Sequence, residues 1–265
     1  MLTNPVKETI LAGGTALGTM VLEFGTTGMG RIASAAGADF VIYDMEHSGF
    51  TVETIRTLMA SSRGTGIVPM VRPSGSLYHL ISGPLDMGAL GVMVPMVESA
   101  KKARQIAQAA RYPPVGGRGS AFGFAHDDYL GGTAPEKMQH ANNQILMIAQ
   151  IETAKGLAAV DDIVAVDGVD VIWIGQSDLT AFMGIPGQFD HPDYLAALDR
   201  VVDAANQVGK TAGFMATSVD EGEMLLNRGF RMLAYWADVG IYQAALRHGI
   251  EGLRNHRKRS INELP

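Results

Sequence analysis

The chain has 265 residues, no cysteine, and 27 acidic against 21 basic side chains for a net charge of −6. The acidic balance argues against non-specific nucleic-acid binding. The absence of cysteine excludes a disulfide framework, a thiolate metal site and a cysteine nucleophile. The length suits one α/β barrel or two modest domains. Charged residues make up 18%, below the roughly 25% of ordinary soluble domains, which fits a surface partly covered by partner subunits. The N-terminal residues lack an apolar signal core and cleavage site. The longest nearly apolar stretch, 87–97, is too short to cross a bilayer as a helix. The expectation is a cytoplasmic protein without a membrane partner.

In chain order, short β-rich runs alternate with longer helical patterns. Strands are predicted over 16–21, 40–44, 66–71 and 91–94, followed in turn by helices over 27–36, 51–61, a segment from 77 that Pro84 limits, and 99–110. An irregular glycine-rich stretch, 112–133, and a short helix over 135–142 come next. Strands over 145–151, 169–174, 211–215 and 232–236 alternate with helices over 154–160, 177–182, 192–208, 219–228 and from Gly240 to about 255. Eight alternating units favour a closed parallel barrel. The runs FVIYD, GVMV and VIWIG read as strands buried on both faces. A doubly wound sheet is the competitor, but its phosphate-binding GxGxxG after the first strand is absent. The reading is a (β/α)8 TIM barrel, one domain over 1–265.

Barrel chemistry sits at the C-terminal ends of the strands, and ionisable residues collect there. The second strand ends in Asp44-Met45-Glu46-His47, the third in Arg72-Pro73 and the fifth in Gln150-Ile151-Glu152-Thr153. The sixth runs through Gly175-Gln176-Ser177 to Asp178, and Asp86 lies before the fourth. Each has a structural alternative. Asp44 and Asp178 suit helix caps, Glu152 a first-turn glutamate favoured by the dipole, His47 a hydrogen-bonded structural histidine, and Arg72 a rim ion pair. Their shared position at one end of different strands favours function. Glu152 and Asp178 are hard oxygen donors with no cysteine or histidine beside them. That set suits Mg²⁺, with Mn²⁺ or Co²⁺ as substitutes, in an open sphere able to grip a 2-oxo acid.

At these residues the sequence resembles the HpcH/HpaI family of metal-dependent, pyruvate-using class II aldolases. The resemblance rests on DFVIYDMEHSGFT at 39–51, VPMVRP at 68–73, GVMVPMVESA at 91–100, RYPPVGGRG at 111–119, QIET at 150–153 and IGQSDL at 174–179. Family strands often end IGPxDL, so Gln176 replaces a proline beside Asp178. The resemblance implies a barrel assembled as a hexamer or trimer, with the last helix exchanged between subunits. It implies Glu152 and Asp178 as metal ligands, Arg72 as the partner of the enolate oxygen, and His47 as acid/base. It makes Asp86 the carboxylate orienting His47, and Asp44 a second aspartate near the histidine and arginine. Gln150 and Ser177 match pyruvate contacts, and Trp173 and Met215 fall where the family lines its pocket.

The expected reaction is retro-aldol cleavage of a 4-hydroxy-2-oxo acid to pyruvate and an aldehyde. His47 takes the C4 hydroxyl proton, as histidine exchanges protons near neutrality, while the metal and Arg72 stabilise the enolate charge. A Schiff-base aldolase would need a lysine inside the barrel, and only Lys155 follows a strand at the active end. An acyl-CoA lyase of the citrate lyase β-subunit or malyl-CoA lyase kind and a non-catalytic binding barrel are the alternatives. His126-Asp127-Asp128 suits a gating or intersubunit role better than a metal site. Arg118 suits either the active-site mouth, a neighbouring subunit, or a structural ion pair. The basic run 254–259 complements a helix C-terminus.

Overall fold

The computed structural model describes residues 2–262, with side chains as far as residue 256. Eight parallel strands close into a barrel in chain order: β1 (Ala16–Val21), β2 (Phe40–Asp44), β3 (Val68–Arg72), β4 (Gly91–Val94), β5 (Leu146–Ile151), β6 (Val171–Ile174), β7 (Thr211–Ala216) and β8 (Met232–Ala237). The expected closed barrel is therefore present. Around it run α2 (Met29–Ala35), α3 (Val52–Ser61), α4 (Tyr78–Asp86), α5 (Ala100–Ala110), α6 (Ala134–Gln144), α7 (Ala154–Ala158), α8 (Val160–Val164), α9 (Gln176–Phe182), α10 (Pro192–Gln207), α11 (Val219–Arg228) and α12 (Asp238–Asn262). The helix expected over 154–160 is two short ones. The last helix runs longer than expected. Side chains of the terminal basic run beyond residue 256, and Lys258, lie outside the described residues.

One element escaped the sequence pattern. Helix α1 (Pro5–Leu11) precedes the barrel and plugs its N-terminal face, with Val6 and Ile10 joining Phe40, Val68 and Leu146 in the inner core. Asn4 fixes it. Its side chain accepts from the Lys7 N–H at 3.1 Å and donates to the carbonyls of Leu90 (3.0 Å) and Gln144 (2.9 Å). Side-chain caps also start the barrel helices, with Thr51, Ser99, Thr153 and Ser218 each accepting a first-turn N–H, the preference expected of hydroxyl residues there.

The barrel interior is filled by large side chains laid over glycines on a neighbouring strand. The register sets Phe40 opposite Gly18, Met70 opposite Gly91 and Trp173 opposite Gly213. A β-carbon on Gly213 would lie 2.3 Å from the Trp173 ring. This is why glycines occur inside strands that otherwise read as apolar runs. This packing fills the inner core, and the polar strand ends lie above it at the C-terminal mouth. No helix of the described residues is long and apolar enough to cross a membrane.

Gly213→Ala is expected to cost about 1–3 kcal/mol through overpacking, seen as a lower melting temperature by circular dichroism. An unchanged melt would mean that the Trp173 ring moves aside freely.

Candidate active site

The β2–β3 register pairs Asp44 with Arg72 at the mouth. Arg72 Nε donates to Asp44 Oδ1 at 2.7 Å and Nη2 to Oδ2 at 2.8 Å, and both side chains are buried. The backbone N–H groups of Glu46 (2.9 Å) and His47 (3.1 Å) donate to the same carboxylate. Burial alone would push the Asp44 carboxyl up, but the Arg72 hydrogen bonds and charge, with these two N–H groups, outweigh it and hold it below the usual range. Asp44 is thus an ionised anchor. It fixes the Arg72 guanidinium and folds the turn after β2, which Ser48 braces by donating to the Asp44 carbonyl.

That turn carries Glu46 and His47 over the mouth. Glu46 Oε2 lies 3.4 Å from Arg72 Nε and 3.6 Å from His47 Nε2. This oxygen is buried and accepts no hydrogen bond. The His47 ring, in contrast, is more than half exposed. Burial raises the Glu46 carboxyl above its ordinary value, with Arg72 and His47 opposing and Asp44 and Asp178 reinforcing the rise.

Glu152 follows β5 and is buried. The Met96 N–H donates to its Oε2 at 2.7 Å, from a residue in the left-handed region at φ 56°, where a non-glycine residue is strained. On the other side Gly175 approaches closely: a β-carbon there would sit 2.6 Å from Glu152 Cγ and Oε1 and 2.8 Å from Gln150 Nε2. Burial, followed by the charges of Glu46 and Asp178, lifts the Glu152 carboxyl to about 7 against the opposing Met96 N–H and Arg72. Gln150 is buried with its Oε1 unpartnered. Ser177 and Asp178 stand exposed in the first turn of α9. Gln176, at the family's usual proline position, donates to the Met215 carbonyl at 3.1 Å, tying the Asp178 turn to the end of β7.

The structure thus groups Asp44, Arg72, His47, Glu152, Gln150 and Asp178 at one mouth. It does not bring Asp86 to His47 within the chain. Asp86 ends α4, which runs back toward the N-terminal face, and Arg118 donates to it there. Trp173 is shut inside the barrel over Gly213, a core residue with almost no surface to offer a ligand. The 112–133 stretch also lies at the N-terminal face. Buried Arg118 stacks over the Tyr112 ring at 4.5 Å and, within the chain, forms the structural ion pair with Asp86. Asp127 accepts from Gly123 N, Tyr129 N and Lys137 Nζ, so its oxygens are committed and the segment is no metal site. Sequence reasoning missed Glu46 and the Met96 backbone. Glu46 stood in view inside Asp-Met-Glu-His, whereas a backbone donor has no signature in residue type.

Among the described residues, no group of three or more histidine, aspartate and glutamate side chains surrounds a common point. An ion at this mouth would take the two carboxylates of Glu152 and Asp178 and leave its other positions to water and substrate. That is the habit of Mg²⁺.

Comparison with known proteins agrees with this architecture. The HpcH/HpaI aldolase/citrate lyase family matches residues 22–245, and the chain belongs to it. It is 33% identical over 246 residues to the 2-keto-3-deoxy-L-rhamnonate aldolase of Klebsiella pneumoniae, covering 93% of this chain and 91% of that protein. An HpcH/HpaI aldolase from Desulfitobacterium hafniense superposes with a TM-score of 0.89 at 32% identity, over 98% of this chain and 97% of the other. A family protein from Burkholderia cenocepacia gives 0.88 at 28% identity, over 95% and 100%. With relatives named as aldolases over nearly its whole length, the chain is a carbon–carbon lyase of the aldolase class.

The raised Glu152 carboxyl has a measurable consequence. Between its ordinary value of 4.5 and about 7, the metal-free folded state holds a proton that the unfolded state has lost. Stability should therefore fall as pH rises through that window, by on the order of 3 kcal/mol. Denaturant titrations at pH 5 and 7.5 should show the loss, and Glu152→Gln should flatten it; a wild-type protein insensitive to pH there would contradict this environment for Glu152.

Proposed function

We propose that the enzyme cleaves 4-hydroxy-2-oxo acids reversibly to pyruvate and an aldehyde. A 2-oxo-3-deoxy sugar acid is the favoured substrate class, since the Klebsiella relative is named for one. The observation that carries this reading is the Arg72 guanidinium, clamped on Asp44 and flanked by Glu46 and Glu152, with His47 beside Glu46. A divalent cation, Mg²⁺ or in its place Mn²⁺ or Co²⁺, held by Glu152 and Asp178, would polarise the substrate's 2-oxo and carboxylate oxygens. The mixed acidic set fits it, because three carboxylates face a single arginine.

The chain's own groups do the rest. With Nε and Nη2 held by Asp44, Arg72 has Nη1 to turn to the C2 oxygen. Gln150 and the backbone around Ser177 hold the pyruvate half, beside Met215. His47 takes the proton of the C4 hydroxyl as the C3–C4 bond breaks. The electron pair passes to the pyruvate enolate, the aldehyde leaves, and a proton returned to C3 completes pyruvate. A guanidinium fixed before the reaction needs no reorganisation as the enolate charge develops, which is where preorganised donors are most effective.

Among the described residues, the lysines do not offer the Schiff-base route. Lys155 stands outside the mouth on Glu98 at 3.1 Å. Lys7, Lys137 and Lys210 are bonded to carbonyls away from it. Chelator should therefore abolish pyruvate release from a panel of 2-oxo-3-deoxy sugar acids, and Mg²⁺ or Mn²⁺ should restore it, while borohydride with pyruvate leaves the enzyme active. Arg72→Ala should lower kcat roughly 10²–10³-fold. Covalent trapping by borohydride, or near-normal turnover of Arg72→Ala, would overturn the assignment.

The surface favours assembly by exchange of α12. Leu17 on β1 and Tyr235 on β8 point outward at 49% and 45% exposure, where a barrel helix would cover them. Helix α12 leaves the barrel with Tyr242, Leu246, Ile250 and Leu253 uncovered, spaced to form one stripe. The uncovered strands and the unpartnered helix complement one another between copies, which supports a homo-oligomer, by the family's habit a hexamer or trimer. Light scattering should give an oligomeric mass, and Leu246→Asp with Ile250→Asp should reduce it to smaller species. A monomeric wild-type enzyme would refute the exchange.

A further inference from the structure

Asp178 stands exposed in the first turn of α9, and among the described residues no hydrogen bond or ion pair holds its carboxylate. A side chain of that kind is placed by its backbone, so whatever fixes the turn fixes Asp178 relative to Glu152. The turn is tied on two sides by its own strand and helix. The Gly175 N–H donates to the Ile151 carbonyl at 3.1 Å, joining the tip of β6 to β5 beside Glu152. Buried Thr180 shares its hydroxyl proton between the carbonyls of Gln176 (3.0 Å) and Ser177 (2.9 Å). On the third side the backbone ladder between β6 and β7 stops at Trp173 and Gly213. Gln176 reaches past that point, and its Nε2 donates to the Met215 carbonyl at 3.1 Å. We propose that Gln176 is a positioning residue: its amide extends the β6–β7 ladder by one side-chain bond and holds the Asp178 carboxylate in register with Glu152 for a shared divalent cation.

The local sequence explains why such a clasp is needed. Gly175 must be glycine, since a β-carbon there would meet Glu152 and Gln150 at 2.6–2.8 Å. Glycine brings backbone freedom to the residue just before the turn, and it gives α9 no side-chain cap. The helix has only seven residues, too few to stabilise its own first turn. The close approach that seats Glu152 therefore loosens the segment that carries Asp178, and the next residue along the chain restores the restraint. The amide can do so in one orientation only, because a carbonyl accepts and only the Gln176 nitrogen can donate to it. Gln176 adds no charge to the mouth, so its effect passes through the backbone of the turn. Its own N–H is one of the first-turn donors that a helix leaves unbonded. Proline, which lacks that N–H and fixes φ near the helical value, is therefore compatible with this position.

The inference rests on the assignment of Glu152 and Asp178 as cation ligands, and its test separates the two. Mn²⁺ is titrated into the substrate-free protein, and binding is read from loss of the free-ion electron paramagnetic resonance signal. Asp178→Asn should abolish binding. Gln176→Met keeps the length of the side chain and removes the donor, and it should weaken binding roughly 10–100-fold, as loss of a partner behind a ligand does. Gln176→Pro should bring the affinity back to within about threefold of wild type, because the ring restrains the same turn without the amide. Gln176 is half-buried, so Gln176→Met should melt near the wild-type temperature, which circular dichroism checks. Wild-type affinity in Gln176→Met, or Gln176→Pro folded and as weak as Gln176→Met, would overturn the role of Gln176. Loss of binding in Asp178→Asn beside normal binding in Gln176→Met would leave the ligand assignment standing and remove the clasp. Asp178→Asn binding as tightly as wild type would bring down the ligand assignment and the inference together.

Discussion

The buried pair between Asp44 and Arg72 is the constraint on which the mouth depends. Either charge alone at that depth would be strongly destabilising, and only a bidentate partner makes the arrangement tolerable. The β2–β3 register supplies that partner, because parallel pairing sets the last residues of the two strands side by side. Once Asp44 is held, its remaining lone pairs draw in the N–H groups of Glu46 and His47 and thereby shape the turn that carries the His47 ring. One ion pair thus fixes the orientation of the arginine, the path of the turn and the place of His47.

On the opposite side of the mouth the fold accumulates negative charge. Glu152 is held by a backbone donor from a strained Met96 and hemmed in by Gly175, and Glu46 and Asp178 both act to raise its carboxyl. A stable core would not keep such repulsion, since strain of this kind persists only where surrounding structure imposes it. Under the proposed function, a cation between the carboxylates and a substrate anion on Arg72 would relieve this imbalance. Met96 has no functional side-chain role in this arrangement. Its contribution is a backbone N–H placed by a conformation that residue type does not announce.

Much of this was legible in the sequence. Unbroken apolar runs followed by charged residues revealed both the strands and the end at which chemistry occurs, because a strand buried on both faces has nowhere to carry a charge except at its tip. Asp44, Arg72, His47, Glu152 and Asp178 were placed at that end of the barrel in this way. Asp86 was expected beside His47, but sequence position does not say which end of the barrel a residue faces: within the chain it closes a helix that has travelled back to the N-terminal side. Trp173 is a different case. Alternation along β6 turns it inward, but only its pairing opposite Gly213 shows that it fills the barrel. Helix α1 was missed because its amphipathic stretch is short and its hold depends on Asn4 reaching carbonyls at residues 90 and 144, contacts far apart in the chain.

The exit of α12 and the geometry of the mouth share an anchor. Asp238, the first residue of that helix, is buried and accepts from the backbone N–H groups of Leu22 (3.0 Å), Glu23 (2.9 Å) and Phe24 (2.7 Å). These three residues form the turn after β1 at the C-terminal end of the barrel. A little further along α12, Tyr242 meets Phe24 edge-on with ring centroids 5.5 Å apart. The direction in which the helix departs, and the shape of the β1 turn at the same end of the barrel, are therefore set by one carboxylate.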